Sequence, residues 1–564
     1  MKAVIAAVNS QYVHSALAPW CLVAGVKKYC RQPVETAVLE GTVNEQPERL
    51  IERIAEQRPS LVGFSCYIWN IKYIRAILPQ VRLLTDAVIV LGGPEAGCNA
   101  RRLLEEEKDV DFILSGEGEL PFAMLADAVA QGAAPGDDIP GLCRRTESGE
   151  IIVSPPHCPA DEPPSPYSEK YFAQLSGRMA YLETGRGCPY HCAFCLSSVS
   201  GKWRNYDLDR AKRELLMLAK SGTQTVKLVD RTFNADRARA RELFRFIGDS
   251  YGGEIPEGVC FHFELAGDLL DDETLTVLEN MPAGAVQVEI GIQSFNPDTL
   301  AAVDRVTNVE RVCAAVRRLI AGGRVHTHID LIAGLPGEDM QSFRKSFERA
   351  MELRPNMLQL GFLKLLHGAP MREQPGRFPC EFDSEPPYEV HSTPWLSAEE
   401  LEHLHLIEKA LDRVYNSGRF RRTADYVRRA GELTSFELYE RVSRIFENGV
   451  LEGASLDRLT AALWDVLLTI EGVDPMSLRD AMVCDRLASA PAAPLPACLN
   501  IVDRRTRALR FELEQDARTR RGFGVKRSVA LLYGEQCAVW CDNVDRDPVT
   551  LQYPIHFFAR GRIK

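Results

Sequence analysis

The chain has 564 residues, with 67 Lys and Arg against 78 Asp and Glu for a formal net charge of −11, and 45% hydrophobic and 26% charged residues. These fractions exclude a disordered, collagen-like or coiled-coil chain and leave room for about three domains, each with its own core. The acidic balance disfavours a dedicated nucleic-acid binder, whose affinity comes from clustered phosphate-neutralising Lys and Arg, and no run approaches the ~18 apolar residues of a membrane span.

The opening residues read as a strand entering a loop and offer no secretory signal, which predicts a cytoplasmic protein. In that compartment thiols stay reduced, so the sixteen cysteines are expected as core residues, metal ligands or redox groups, with disulfides disfavoured.

Over the first 135 residues short apolar runs alternate with amphipathic stretches. Strands are predicted at 3–8, 34–39, 61–65, 88–91 and 112–114, with helices such as 47–57 and 71–83 between them. That alternation is the pattern of βαβ units in an open, mostly parallel sheet, a Rossmann-like domain over 1–135. Ser65 and the glycyl stretches Leu91-Gly92-Gly93-Pro94-Glu95 and Ser115-Gly116-Glu117-Gly118-Glu119 fall at strand ends, where such sheets bind ligands. Prolines crowd residues 136–175, predicting a linker.

A second alternating series occupies 176–375, with strands predicted at 180–184, 225–229, 260–265, 285–290, 326–332 and 357–363 and helices such as 211–218 and 237–247. Six strands spaced this way predict a partial (β/α)6 barrel whose sites lie at the strand ends. After a further Pro-rich break, 390–564 reads as a mostly helical C-terminal domain. Its first helix opens on Ser397 with Glu400 three residues on, a capping-box spacing. Near its end 528–532 and 537–541 look strand-like.

The strongest chemical signal is Gly185-Arg186-Gly187-Cys188-Pro189-Tyr190-His191-Cys192-Ala193-Phe194-Cys195. Three cysteines spaced CxxxCxxC after a strand can wrap one face of a cubane cluster, and thiolates are soft ligands suited to iron–sulfur clusters or zinc. On spacing alone a zinc site completed by His191 or a distant residue is the other reading, although structural zinc sites more often come as paired knuckles.

The CxxxCxxC motif with an aromatic residue before the last Cys resembles the signature of radical S-adenosylmethionine (SAM) enzymes. The resemblance implies a [4Fe–4S] cluster on Cys188, Cys192 and Cys195, with SAM chelating the fourth iron and being cleaved reductively to methionine and a 5′-deoxyadenosyl radical. Further on, Glu289-Ile290-Gly291-Ile292-Gln293-Ser294-Phe295, Val303-Asp304-Arg305 and Asp330-Leu331-Ile332-Ala333-Gly334-Leu335-Pro336-Gly337 resemble runs of the coproporphyrinogen dehydrogenase-like and methylthiotransferase-like members. By that resemblance Gln293 and Asp330 contact the ribose, Arg305 reaches the methionyl carboxylate, and Phe194 and Asp230 complete the SAM site. Asp230 stands where the commoner family form has a GGE run. A guanidinium fork suits a carboxylate, and acidic or amide groups suit ribose hydroxyls.

A Rossmann-like domain ahead of such a barrel resembles the cobalamin-binding class of the superfamily, in a version with an appended C-terminal domain of unknown function. This implies cobalamin bound near His14, Ser65, Gly92, Gly93, Gly116 and Glu117, although the DxHxxG motif that supplies a cobalt-ligating histidine is absent. Nicotinamide and flavin are disfavoured, since no GxGxxG follows the first strand. Cys537 and Cys541 read as ordinary strand thiols, or as a redox pair or auxiliary ligands.

The expected function is methylation of an unactivated carbon, using the cluster, SAM and cobalamin. The alternatives are a cobalamin-dependent radical rearrangement, cyclisation or oxidation without methyl transfer, or a non-catalytic cobalamin or redox sensor. The substrate is expected to be a small molecule, lipid precursor or peptide, with an electron donor such as flavodoxin or ferredoxin as partner. The Arg-rich stretch from Arg419 to Arg429 reads as a solvated helical face. No catalytic residue is assigned.

Overall fold

The computed structural model describes residues 1–198, 201–451, 453–491, 493–501, 511, 529–534, 537–541 and 545–559. The chain divides into two compact units. The first holds Met1–Val277, Leu300–Thr307 and Phe362–Pro394, and the second holds Leu278–Thr299, Asn308–Gly361 and Trp395–Lys564.

The first unit opens with β1 (Lys2–Asn9), α1 (Ala18–Tyr29), β2 (Glu35–Thr42), α2 (Pro47–Glu56), β3 (Leu61–Ser65), α3 (Ile71–Leu84), β4 (Val88–Gly92), α4 (Pro94–Cys98), α5 (Ala100–Glu106), β5 (Phe112–Leu114) and α6 (Glu119–Gln131). Strands β1 and β3 are nearly continuous apolar runs because parallel strands covered by helices on both faces leave no side for polar residues. The helices cover them with one apolar stripe each. In α2, Leu50, Ile51 and Ile54 are buried, and Pro47 starts the helix where its missing N–H is no loss.

β6 (Leu142–Arg145) and β7 (Ile151–Ile152) extend the same sheet, whose order is β2-β1-β3-β4-β5-β6-β7. The first five strands are parallel and the last two antiparallel. This corrects the expected linker: part of 136–175 is sheet, invisible in the sequence because Leu-Cys-Arg-Arg and Ile-Ile are too short to show a period. The strand order reverses between β1 and β3, and doubly wound sheets bind ligands at such a switch point, here beyond Asn9 and Ser65. Asn70 stitches that edge, its Nδ2 donating to the carbonyls of Val8 and Ser65 at 3.0 Å each.

Next come α7 (Glu169–Leu175), β8 (Ala180–Leu182), β9 (Gly185–Arg186), β10 (Arg204–Asn205), α8 (Leu208–Ala219), β11 (Thr225–Leu228), α9 (Arg237–Ser250), β12 (Cys260–Leu265) and α10 (Asp272–Glu279). β8, β11 and β12 are parallel neighbours in that order. Asp236 caps α9 by accepting from the Arg239 amide at 3.1 Å.

In the second unit β13 (Val286–Gln293) is followed by α11 (Pro297–Ala302), which begins there, then α12 (Val309–Gly322), β14 (His326–Ala333), α13 (Met340–Glu352) and β15 (Met357–Phe362). β13, β14 and β15 are neighbours in that order. On β13, Val286, Val288, Ile290 and Ile292 are buried, while Gln287, Glu289, Gly291 and Gln293 occupy the other face. The first unit then resumes with α14 (Pro370–Glu373), β16 (Glu381–Phe382) and β17 (Val390–Ser392).

Trp395 onward gives α15 (Ala398–Leu411), α16 (Arg421–Ala430), α17 (Ser435–Ser443), α18 (Leu456–Leu467), α19 (Pro475–Ser489), β18 (Val529–Leu532), β19 (Cys537–Cys541) and β20 (Ile555–Ala559). Both halves of the capping box at Ser397 and Glu400 are formed. Of the strand expected over 528–532, residue 528 lies outside the described residues. Cys537 and Cys541 sit four residues apart on β19, roughly 13 Å at strand spacing, beyond disulfide reach. No disulfide joins any of the sixteen cysteines among the described residues.

Candidate radical SAM and cobalamin site

The cysteine loop hangs from a two-stranded base in which Arg204 pairs with Arg186 and Asn205 with Gly185. Gly187 starts the loop at φ +82°, where a Cβ would lie 2.9 Å from Trp203 Cα on the returning arm, so glycine is required by both conformation and space. Within the loop the Cys195 amide donates to the Cys192 carbonyl at 3.0 Å, a turn that fits CxxC spacing. The Ala193 amide donates to the Val303 carbonyl, and the Ala193 carbonyl accepts from the Met371 amide, each at 2.9 Å. Those bonds fix the middle of the loop from two sides.

Each of two thiols has a polar neighbour. Cys188 Sγ is 3.3 Å from Thr232 Oγ1 beyond β11, and Cys192 Sγ is 3.5 Å from Arg305 Nη1. Burial pushes the Cys192 thiol up, and the Arg305 guanidinium opposes that shift. A cation against the sulfur favours the thiolate that a metal needs. Among the described residues no group of three or more His, Cys, Asp or Glu side chains is already converged as a metal site. What the loop presents is three soft donors on one eight-residue turn with a backbone pinned at its centre, a donor set that fits an iron–sulfur cluster. His191 is exposed and Phe194 half-buried.

Arg305 is placed by its neighbour: Asp304 adopts φ +55° and is gripped by Arg377 at 2.8 and 2.9 Å. Asp230 is occupied by the chain itself. Its Oδ2 accepts from the Thr184 amide at 2.9 Å and its Oδ1 from the Thr184 hydroxyl at 2.7 Å, and burial pushes its carboxyl up to about 7. This holds the strand end that feeds the cysteine loop. Glu264, which the motif reading passed over, ends the half-buried face of β12, 4.0 Å from Lys227 Nζ and 3.5 Å from Arg231 Nη1. Its signal was the alternation Cys260, His262, Glu264.

In the second unit Gln293 ends β13 at φ +72°, beyond a register shift after Gly291. Asp330 on β14 stands opposite Gly291. His328 Nε2 lies 3.0 Å from Asp330 Oδ1, and His328 Nδ1 lies 3.9 Å from Glu289 Oε2. Sequence reading missed His328, whose only signal was its even spacing from Asp330.

The cobalamin candidates are similarly accounted for by local structure. His14 Nδ1 is 2.7 Å from the Tyr181 hydroxyl, and burial and the Lys227 charge lower the imidazole's pKa. Ser65 is buried at the end of β3. A Cβ on Gly93 (φ +95°) would lie 2.7 Å from the Cys66 carbonyl oxygen, and one on Gly116 (φ +89°) would overlap the backbone of His157. Those glycines are demanded by the chain's own packing, whereas Gly92 meets nothing nearer than 3.9 Å. Glu117 binds Arg186 and Arg204. Beyond β3, Tyr67 and Trp69 stack at 4.3 Å and 7°, with Trp69 half exposed beside the sheet crevice, a flat apolar surface that motif reading did not find.

Three family models match the chain: a B12 binding domain at residues 5–126, the radical SAM superfamily at 182–350, and a protein of unknown function, DUF4080, at 376–523. Among curated relatives, the cobalamin-dependent radical SAM methyltransferase TokK of Streptomyces tokunonensis is 25% identical over 56% of this chain and 48% of its own length. The 2-(S-pantetheinyl)-carbapenam-3-carboxylate methyltransferase of Streptantibioticus cattleyicolor is 25% identical over 59% of this chain and 51% of its own. The chain thus spans about half the length of these relatives. Among solved structures, the radical SAM methyltransferase TsrM of Kitasatospora setae, with cobalamin and a [4Fe–4S] cluster, matches at TM-score 0.55 and 22% identity over 67% of this chain and 76% of that one. The cobalamin-dependent radical enzyme OxsB matches at TM-score 0.55 and 15% identity over 86% and 78%. Those likenesses show the fold.

The chain belongs to the radical SAM enzymes that carry an N-terminal B12-binding domain, here with the C-terminal DUF4080 domain. A [4Fe–4S] cluster, SAM and cobalamin are the cofactors of this domain set.

Proposed function

We propose that this chain methylates an unactivated carbon of a small organic, lipid or peptide substrate, drawing electrons from a flavodoxin or ferredoxin in the cytoplasm. The observation that carries the reading is the pinned three-cysteine loop with Arg305 against Cys192, in the same compact unit as a B12-binding sheet. When bound, the cluster and SAM supply a radical that takes hydrogen from carbon, and cobalamin carries the methyl group.

The chain's own residues hold and orient. Cys188, Cys192 and Cys195 would ligate iron. Arg305 would pair with the SAM carboxylate and Phe194 pack against SAM, while Asp330 and Gln293 would take the ribose hydroxyls. The crevice beyond Asn9 and Ser65, including His14 and Gly92, would receive cobalamin, with Tyr67 and Trp69 as its apolar wall. The domain limits that go with this reading are 1–135, 176–375 and 390–564; the B12-binding and radical SAM matches fall inside the first two, whereas the DUF4080 match already starts at 376. Methyl transferases among the relatives support methyl transfer over other radical outcomes.

The test is anaerobic turnover of the reconstituted chain with [methyl-13C]SAM in an extract of its own source, followed by mass spectrometry. A product heavier by one labelled methyl group, formed with 5′-deoxyadenosine and S-adenosylhomocysteine, is the expected result. Radical cleavage of SAM whose products never contain the label would sink methylation.

A further inference from the structure

The loop that leaves β5 carries Glu117, α6 opens on Glu119, and the two arms of the cysteine loop carry Arg186 and Arg204. These four side chains meet. Arg186 Nη1 binds Glu117 Oε2 and Arg186 Nη2 binds Glu119 Oε1, each at 2.6 Å, while Arg186 Nε binds Glu183 Oε1 at 2.8 Å. Arg204 Nη2 reaches the same Glu117 oxygen at 2.6 Å, and the Tyr206 hydroxyl donates to Glu183 Oε2 at 2.9 Å. None of the five charged side chains is more than 17% exposed.

A buried ion network of this kind is weak as a source of stability, because desolvation of three carboxylates and two guanidiniums offsets most of their attraction. Its attested use is to specify one arrangement. Here the arrangement joins the β5-end loop of the B12-binding domain to both arms that frame the cluster ligands. The β5-end loop is also locked from behind, since the Glu117 amide donates to the His157 carbonyl at 2.8 Å and the His157 amide to the Ser115 carbonyl at 2.9 Å.

We propose that this clamp couples the loading of the two cofactors: each bound cofactor restrains the loop beside it, and the shared ion network passes that restraint to the other loop, so cobalamin slows cluster loss and the cluster tightens cobalamin binding in return. The physical basis is that a segment already ordered by one ligand costs the second ligand less conformational entropy. Linkage makes the effect reciprocal and equal in the two directions. Arg186 and Arg204 are positioning residues in this scheme, acting through the loops.

The inference rests on the reading that the chain loads both cofactors, and the experiment separates the two. The full-length reconstituted protein is challenged anaerobically with a ferrous chelator, with and without hydroxocobalamin, and iron loss is followed by absorbance. Cobalamin is expected to slow cluster loss in the wild type by about five-fold or more. In Arg186→Gln, and independently in Arg204→Gln, the slowing is expected to fall below about two-fold although both cofactors still bind. Arg210→Lys perturbs another buried pair of the same unit, with Glu214 at 2.9 Å, and should keep the full effect. Equal loss rates with and without cobalamin in a doubly loaded wild type would overturn the coupling. So would a clamp variant that keeps the slowing, or a control variant that loses it. A wild type that takes up no cluster or no cobalamin would instead remove the functional reading, and the coupling with it.

Discussion

Asp230 and Arg305 were both expected at SAM from the motifs around them, and folding gives them different surroundings. Arg305 stands with its Nη1 3.5 Å from the Cys192 sulfur. Asp230 is buried, and both its oxygens bind Thr184. No pattern in the sequence could show this, because the amide and hydroxyl that occupy the carboxylate come from 46 residues away. A titration follows. With its carboxyl pushed up to about 7, the folded chain holds a proton that the unfolded chain releases near pH 3.8. This contribution to stability is complete below pH ~4 and is lost as pH rises to ~7. Asp230→Asn has no such loss, so its urea midpoint should gain on the wild type between pH 5 and pH 7.5, by an amount on the order of a few kcal/mol in unfolding free energy. A difference between the two that does not change with pH would contradict the burial argument. The cysteine motif, by contrast, is a local spacing that can be read without the fold, and it offers soft donors whatever surrounds it.

At the scale of elements, apolar strands within the alternating series were readable even at three residues, as in β5, and isolated two- to four-residue pairings were not. β5 falls at 112–114 as expected, and β1 exceeds its expected 3–8 by one residue at each end, because unbroken apolar runs mark strands buried on both faces. β6, β7, β9 and β10 span two to four residues and exist only through their neighbours. Two of these frame the cysteine loop and two extend the sheet, so the fold around the site was the least visible part. Asn70 belongs to the same category. One buried amide side chain joins β1 to β3 through two donated bonds and accepts from the Tyr67 amide at 2.8 Å. Asn70→Ala leaves those backbone groups unpaired and should lower the unfolding free energy by about 2–4 kcal/mol, read as a fall in urea midpoint at unchanged slope. A change under about 0.5 kcal/mol would show that the edge of the crevice does not depend on it.

Over the whole molecule, composition alone indicated several globular domains of acidic balance, and the ordered alternation of strands and helices indicated a Rossmann-like sheet followed by barrel strands. What it could not indicate was the division into units, in which β13 and β14 group with the C-terminal helices. That grouping depends on contacts between residues far apart in sequence. Among the described residues no helix is long and apolar enough to cross a membrane, in keeping with the composition. The central claim for the molecule is that Cys188, Cys192 and Cys195 carry the cluster at which SAM is cleaved. The most direct measurement compares the anaerobically reconstituted wild type with the Cys188→Ala/Cys192→Ala/Cys195→Ala variant for bound iron and for 5′-deoxyadenosine released on reduction with dithionite. The account predicts a four-iron cluster and SAM cleavage in the wild type and neither in the variant. A variant that keeps its cluster absorbance and still releases 5′-deoxyadenosine would contradict it.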